Sequence, residues 1–111
     1  MNVTPKEVVV FRNQTGKGPF ERWLDGLNDH RVVAKVLARL ARVRLGNLGD
    51  CKSVGEGVSE LRVDHGPGYR VYFGQRGDIL VVLLCGGDKR SQKRDIRLAK
   101  QYWNEFKTSE S

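Results

Sequence analysis

Two short segments of the chain interleave ionisable and apolar side chains with a period of two. Segment 58–64 carries Glu60 and Arg62 around Leu61 and Val63, and segment 69–75 carries Arg70 and Tyr72 among Tyr69, Val71 and Phe73. Successive side chains of a strand point to opposite faces, so pairing these segments places Glu60, Arg62, Arg70 and Tyr72 on one sheet surface. A glycine pair, Gly86-Gly87, then delivers Lys89, Arg90, Lys93 and Arg94 over the rim of that surface. This assortment suits work on a phosphodiester. Metal-free RNA cleavage by a ribose 2′-hydroxyl needs a proton acceptor, cations for the charge gathering on the phosphate, and a donor for the leaving 5′-oxygen. Arg62, Arg70 and Lys89 can supply the cations, Glu60 or His65 a base or acid, and Tyr72 a stacking platform or a proton. Each also has a plainer reading. Glu60 with either arginine makes an ordinary cross-strand ion pair, Tyr72 an exposed sheet aromatic, and His65, beside Gly66-Pro67-Gly68, a turn residue.

The elements that must hold these residues follow from periodicity. Segment 8–11 is a short β-branched run that reads as a first strand. Pro19 suits a helix start, and Phe20, Trp23, Leu24 and Leu27 recur at i, i+3, i+4, i+7. Asn28 or Asp29 can cap a second helix in which Val33, Val36, Leu37, Leu40 and Val43 trace one face and Arg31, Lys35, Arg39 and Arg42 another. That basic row is either a solvated face or a phosphate-binding strip. From Cys51 the period falls to two, predicting strands at 51–54, 58–64, 69–75 and 79–85, the last ended by Gly86-Gly87-Asp88. Ile96, Ala99, Trp103 and Phe106 then mark a C-terminal helix with a basic start, and residues 108–111 read as a frayed tail.

The fold class expected is α+β: a single domain over 1–111, in the order β-α-α-β-β-β-β-α, with an N-terminal helical hairpin and an antiparallel central meander. An apolar fraction of 39% and a charged fraction of 30% suit a folded chain rather than a disordered one. Twenty Lys and Arg against 13 Asp and Glu leave a formal charge of +7, which attracts polyanions such as RNA, DNA or an acidic protein. No apolar run is long enough to cross a membrane, and the first residues do not read as a signal peptide, so a cytoplasmic location without membrane association is expected. Cys51 and Cys85, with only His30 and His65 beside them, signal neither a disulfide framework nor a metal site, and no cofactor is implied.

The order and wording of the segments also resemble a known family. The stretch VGEGVSELRVDHGPGYRVYFGQRGDILVVLLCGGD, residues 54–88, continues as KRSQKRDIRLAK, preceded upstream by FERWLDGL and RLGNLGD. It resembles the HigB-like, phage-derived "addiction module killer protein" branch of the RelE/ParE toxins. The resemblance implies a type II toxin, a ribosome-dependent mRNA endonuclease silenced by a cognate antitoxin, itself a helix-turn-helix protein, with DNA contacted only through the antitoxin complex. Two alternatives share the fold: a ParE-like poison of DNA gyrase, and a non-enzymatic DNA-associated regulatory module. By motif, Arg70 matches the arginine set against the scissile phosphate, Lys89 a second cation, and Arg62 a basic position of the preceding strand. The chain departs from RelE at Glu60, where a lysine is expected, and near Asp95, where a tyrosine is expected. The His-rich end of HigB is also absent.

Overall fold

A computed structural model describes residues 4–109. Its elements run β1 (Glu7–Val10), α1 (Pro19–Asp25), α2 (His30–Arg44), β2 (Cys51–Gly55), β3 (Val58–Val63), β4 (Tyr69–Arg76), β5 (Leu80–Asp88), a single 3-10 turn at Lys89–Ser91, and α3 (Gln92–Ser109). The five strands form one mixed sheet in the order β1-β5-β4-β3-β2. Strands β2 to β5 make an antiparallel meander, and β1 adds to β5 in parallel. The turn between β3 and β4 closes through a Gly68 N–H to His65 carbonyl bond of 3.0 Å, with Gly66 and Gly68 at positive φ, where a side chain would be strained.

Both faces of the sheet are covered. On one, Leu61, Val63, Val71, Phe73, Val81 and Leu83 pack under Phe20 of α1 and Val32, Val36, Leu40 and Val43 of α2. Asp29 starts α2 by accepting the Arg31 N–H at 2.9 Å. On the other face, Val58, Tyr72, Val82, Leu84 and Cys85 pack under Ala99 and Trp103 of α3. A bulge serves this second layer. The β4–β5 register steps from Tyr72↔Cys85 to Phe73↔Leu83, so Leu84 and Cys85, though adjacent, join the same layer. Burial pushes the Cys85 thiol up to about 12, with the charge of Asp95 adding to it.

Four expectations are corrected. The face carrying Glu60 and Tyr72 is not open, because α3 lies on it and leaves both residues with no exposed surface. Strand β5 does not stop at Cys85 but runs through Gly86 and Gly87 to Asp88. Those glycines serve close approach rather than a turn: a Cβ on Gly86 would strike the Trp23 indole, and one on Gly87 the Asp95 carboxylate. Thr108 and Ser109 are helical, not frayed, while 110 and 111 lie outside the described residues. The basic row of α2 is not uniformly solvated either. Arg39 folds back to donate to the carbonyls of Arg62 (3.2 Å), Leu48 (3.0 Å) and Asp50 (3.2 Å), pinning the α2–β2 loop to β3. Desolvation lowers the pKa of this guanidinium from its ordinary value.

The Trp103 ring lies flat against the backbone of Gly74, leaving no space for a Cβ there. Gly74→Ala should therefore force α3 off the sheet and cost about 1–3 kcal/mol. A urea unfolding midpoint equal to that of the parent chain would contradict this packing.

Candidate nucleic-acid interface

The four residues that alternation assigned to one surface do meet. In the β3–β4 register Glu60 faces Tyr72 and Arg62 faces Arg70. Glu60 is their hub. Its Oε2 accepts from Gln92 Nε2 of α3 at 2.8 Å and from the Tyr72 hydroxyl at 3.2 Å, and its Oε1 accepts from Arg62 Nε at 3.3 Å. Arg70 Nε, buried and without a hydrogen bond of its own, lies 3.5 Å from the same Oε2. Burial alone would push the Glu60 pKa up. The hydrogen bonds from Gln92 and Arg62, the charge of Arg70 and the Tyr72 hydroxyl outweigh it and hold the carboxyl below its ordinary 4.5. Tyr72 moves the other way: burial, then the adjacent carboxylate, raises its pKa and keeps it a neutral donor.

These facts change the roles available. A carboxylate with no exposed surface and its lone pairs engaged cannot reach a ribose proton, so Glu60 is a positioning residue rather than a base. Tyr72, equally buried, has no face free to stack on a nucleobase. His65 sits on the opposite side, its Nε2 3.6 Å from Asp29 and its ring near Tyr69, which belongs to the α1–α2 layer. The arginines remain. The Arg62 side chain is 41% exposed and that of Arg70 12%, so Arg62 stands at the surface and Arg70 lies largely beneath it.

Lys89 joins this rim through the backbone. Its N–H and Arg70 Nη1 both donate to the Gly68 carbonyl, each at 3.1 Å, which ties the start of the 3-10 turn to the β3–β4 loop. Next to it lies an open groove of about 890 Å³ lined by Trp23, Gly86, Gly87, Lys89, Arg90, Lys93, Arg94 and Arg97, among others. The groove exists because β1 pairs with β5 only as far as Leu83, leaving Gly86 and Gly87 as floor between α1 and α3. Arg90 is engaged by Asp88 at 3.0 Å, and Arg94 lies 3.7 Å from Asp95. Among the described residues, Lys89, Lys93 and Arg97 have no carboxylate within ion-pair distance. Periodicity assigns Trp23 only to the core and marks no role for Gln92. Trp23 carries a groove signal only when seen beside Gly86, and nothing in the residues around Gln92 marks its bond to Glu60. Among the described residues, no group of His, Cys, Asp or Glu could hold a metal ion, and no helix is long and apolar enough to cross a membrane.

A family model described as phage-derived protein Gp49-like matches residues 22–104, a span holding all five strands but β1 and every residue of the Glu60 cluster. The chain belongs to this Gp49-like family. The family is associated with addiction modules and is related to RelE/ParE-like toxins. An uncharacterized protein of Haemophilus influenzae is 52% identical over 81 residues, covering 73% of this chain and 82% of the relative.

In this Gp49-like chain the Glu60 cluster has a pH signature. Because the folded pKa lies below the ordinary 4.5, Glu60 contributes stability that is present above that value and lost as pH falls through the folded pKa. Glu60→Gln removes that contribution and leaves two guanidinium groups without their counter-charge, costing about 3–5 kcal/mol at neutral pH. Urea titrations from pH 7 to pH 3 should show a smaller acid-induced loss in the variant. Parallel stability–pH curves would show that Glu60 is not held ionised.

Proposed function

We propose that the chain is the toxin of a type II toxin-antitoxin pair, of the HigB-like kind, and that it cleaves mRNA on the ribosome. The observation that carries this reading is the pairing of Arg62 and Arg70 on the Glu60 carboxylate, with the backbone of Lys89, which lines a cationic groove, tied through the Gly68 carbonyl to Arg70. Guanidinium groups are suited to the non-bridging oxygens of a phosphate, and Glu60 holds two of them in fixed directions before the substrate arrives. As the ribose 2′-oxygen bonds to phosphorus and the 5′-oxygen leaves, the arginines would offset the added negative charge. Lys89 would supply a second cation for the phosphate. Lys93 and Arg97 would follow the flanking backbone, with Trp23 available to stack.

Glu60 and Tyr72 are buried and His65 is on the far face, so the reaction would take its proton acceptor from outside this side-chain set. That fits a cut completed only in the ribosomal decoding site. The same lack of an accessible base favours a second reading, in which a related fold poisons DNA gyrase without cutting RNA, or acts only as a DNA-associated regulatory module. In either case a cognate helix-turn-helix antitoxin would silence the protein and carry any contact with DNA, and the site of action would be the cytoplasm.

Primer extension on translated mRNA after induction separates the readings. The first expects discrete cuts that weaken about 100-fold in Arg62→Ala, with the circular dichroism spectrum unchanged. Intact messages together with gyrase-linked DNA breaks would establish the second.

A further inference from the structure

Helix α2 carries an apolar face that its own fold leaves in solvent. Its buried residues Val32, Val36, Leu40 and Val43 account for the side on the sheet. On the opposite side Ala34, Ala38, Ala41 and Leu45 recur at i, i+4, i+7 and i+11, with Leu37 beside them, and all five are exposed. Leu37 is 50% exposed and Leu45 71%, whereas a solvated helix face ordinarily carries charge in these places. The patch extends beyond the helix. The Lys6 N–H donates to the Arg44 carbonyl and the Glu7 N–H to that of Ile79, so Leu45 and Ile79 stand on neighbouring backbone. Ile79 is 59% exposed, and these three are the exposed large hydrophobic residues among those described. Their collection on one side of the molecule is what an interaction surface requires.

We propose that this face docks an amphipathic, acidic helix supplied by a different polypeptide. The alanines let a second helix approach closely, while Leu37 and Leu45 form raised edges for its apolar side chains. The flanks decide the partner's charge. Lys35 and Arg42, with Arg31 paired to Asp29, lie along one edge of the stripe, and Arg44 along the other. A second copy of this chain would bring the same cations against themselves, which disfavours a symmetric pair. A helix bearing Glu or Asp beside its apolar stripe would meet them with opposite charge. This surface lies on the α1–α2 side of the sheet, away from the face covered by α3, so its occupant need not compete with RNA. The inference stands without the nuclease reading, since its test measures binding alone.

The probe is a fluorescent synthetic peptide about four turns long, with Leu and Ala along one face and Glu on both flanks, measured by anisotropy against the full chain. Binding should weaken about tenfold or more in Leu37→Glu/Leu45→Glu, and similarly in Arg42→Glu/Arg44→Glu, while both variants keep the parent unfolding midpoint. It should fall with added salt and vanish when Lys replaces Glu in the peptide. Equal binding to parent and Leu37→Glu/Leu45→Glu would overturn the proposal. So would displacement of the peptide by a short single-stranded RNA, which would make the face a nucleic-acid strip. Sedimentation showing a dimer of the parent chain that Leu37→Glu/Leu45→Glu dissociates would assign the face to a second copy and overturn it as well.

Discussion

A carboxylate removed entirely from water must find partners for its charge and its lone pairs, and Glu60 finds them on three elements at once. Arg62 comes from its own strand, Tyr72 and Arg70 from β4, and Gln92 from the first turn of α3. Uncompensated, burial of such a charge costs several kcal/mol, so each of these contacts offsets part of that cost. The consequence is geometric. One buried anion links the first turn of α3, the β3–β4 pair and two guanidinium groups. Arg62 reaches the surface already oriented, with Arg70 largely buried behind it, and both are already relieved of part of their mutual repulsion.

Charge is arranged unevenly around that anchor. Lys89, Arg90, Lys93 and Arg94 gather where the α3 macrodipole is positive, an arrangement that costs roughly 0.3–1 kcal/mol for each exposed cation. Asp88 and Asp95 offset part of it through Arg90 and Arg94. The remaining positive charge faces the groove beside Trp23, and a phosphate backbone entering it would replace repulsion with attraction. Membership of a Gp49-like family associated with addiction modules gives such a groove a biological setting. The opposite side of the molecule offers something chemically different, an apolar stripe on α2 edged by cations.

Much of this was legible in the residues. The two-residue period of 58–64 and 69–75 assigns Glu60, Arg62, Arg70 and Tyr72 to a common face, because strand geometry leaves no other choice once Leu61 and Val71 are buried. What alternation does not encode is whether a polar face meets water or another layer. The stripe of Ile96, Ala99, Trp103 and Phe106 announces a helix with something to cover, but its target is marked by scattered glycines such as Gly74, whose missing side chain makes room for Trp103. Gly86 and Gly87 misled for a related reason: they resemble a turn, yet here each lets a large or charged neighbour touch the strand. Gln92 acts through one long-range hydrogen bond and Arg39 through bonds to three backbone carbonyls, and neither leaves a periodic trace.

The account turns on Arg62 and Arg70 being the groups that grip phosphate. Side-chain NMR of the labelled chain, following arginine Nε–Hε signals during titration with a short single-stranded RNA, tests this most directly. Arg62 and Arg70 should move first and most, followed by Arg94 and Arg97 of the groove. Perturbation confined to Arg31, Arg42 and Arg44 of α2, with Arg62 and Arg70 unmoved at saturation, would contradict it.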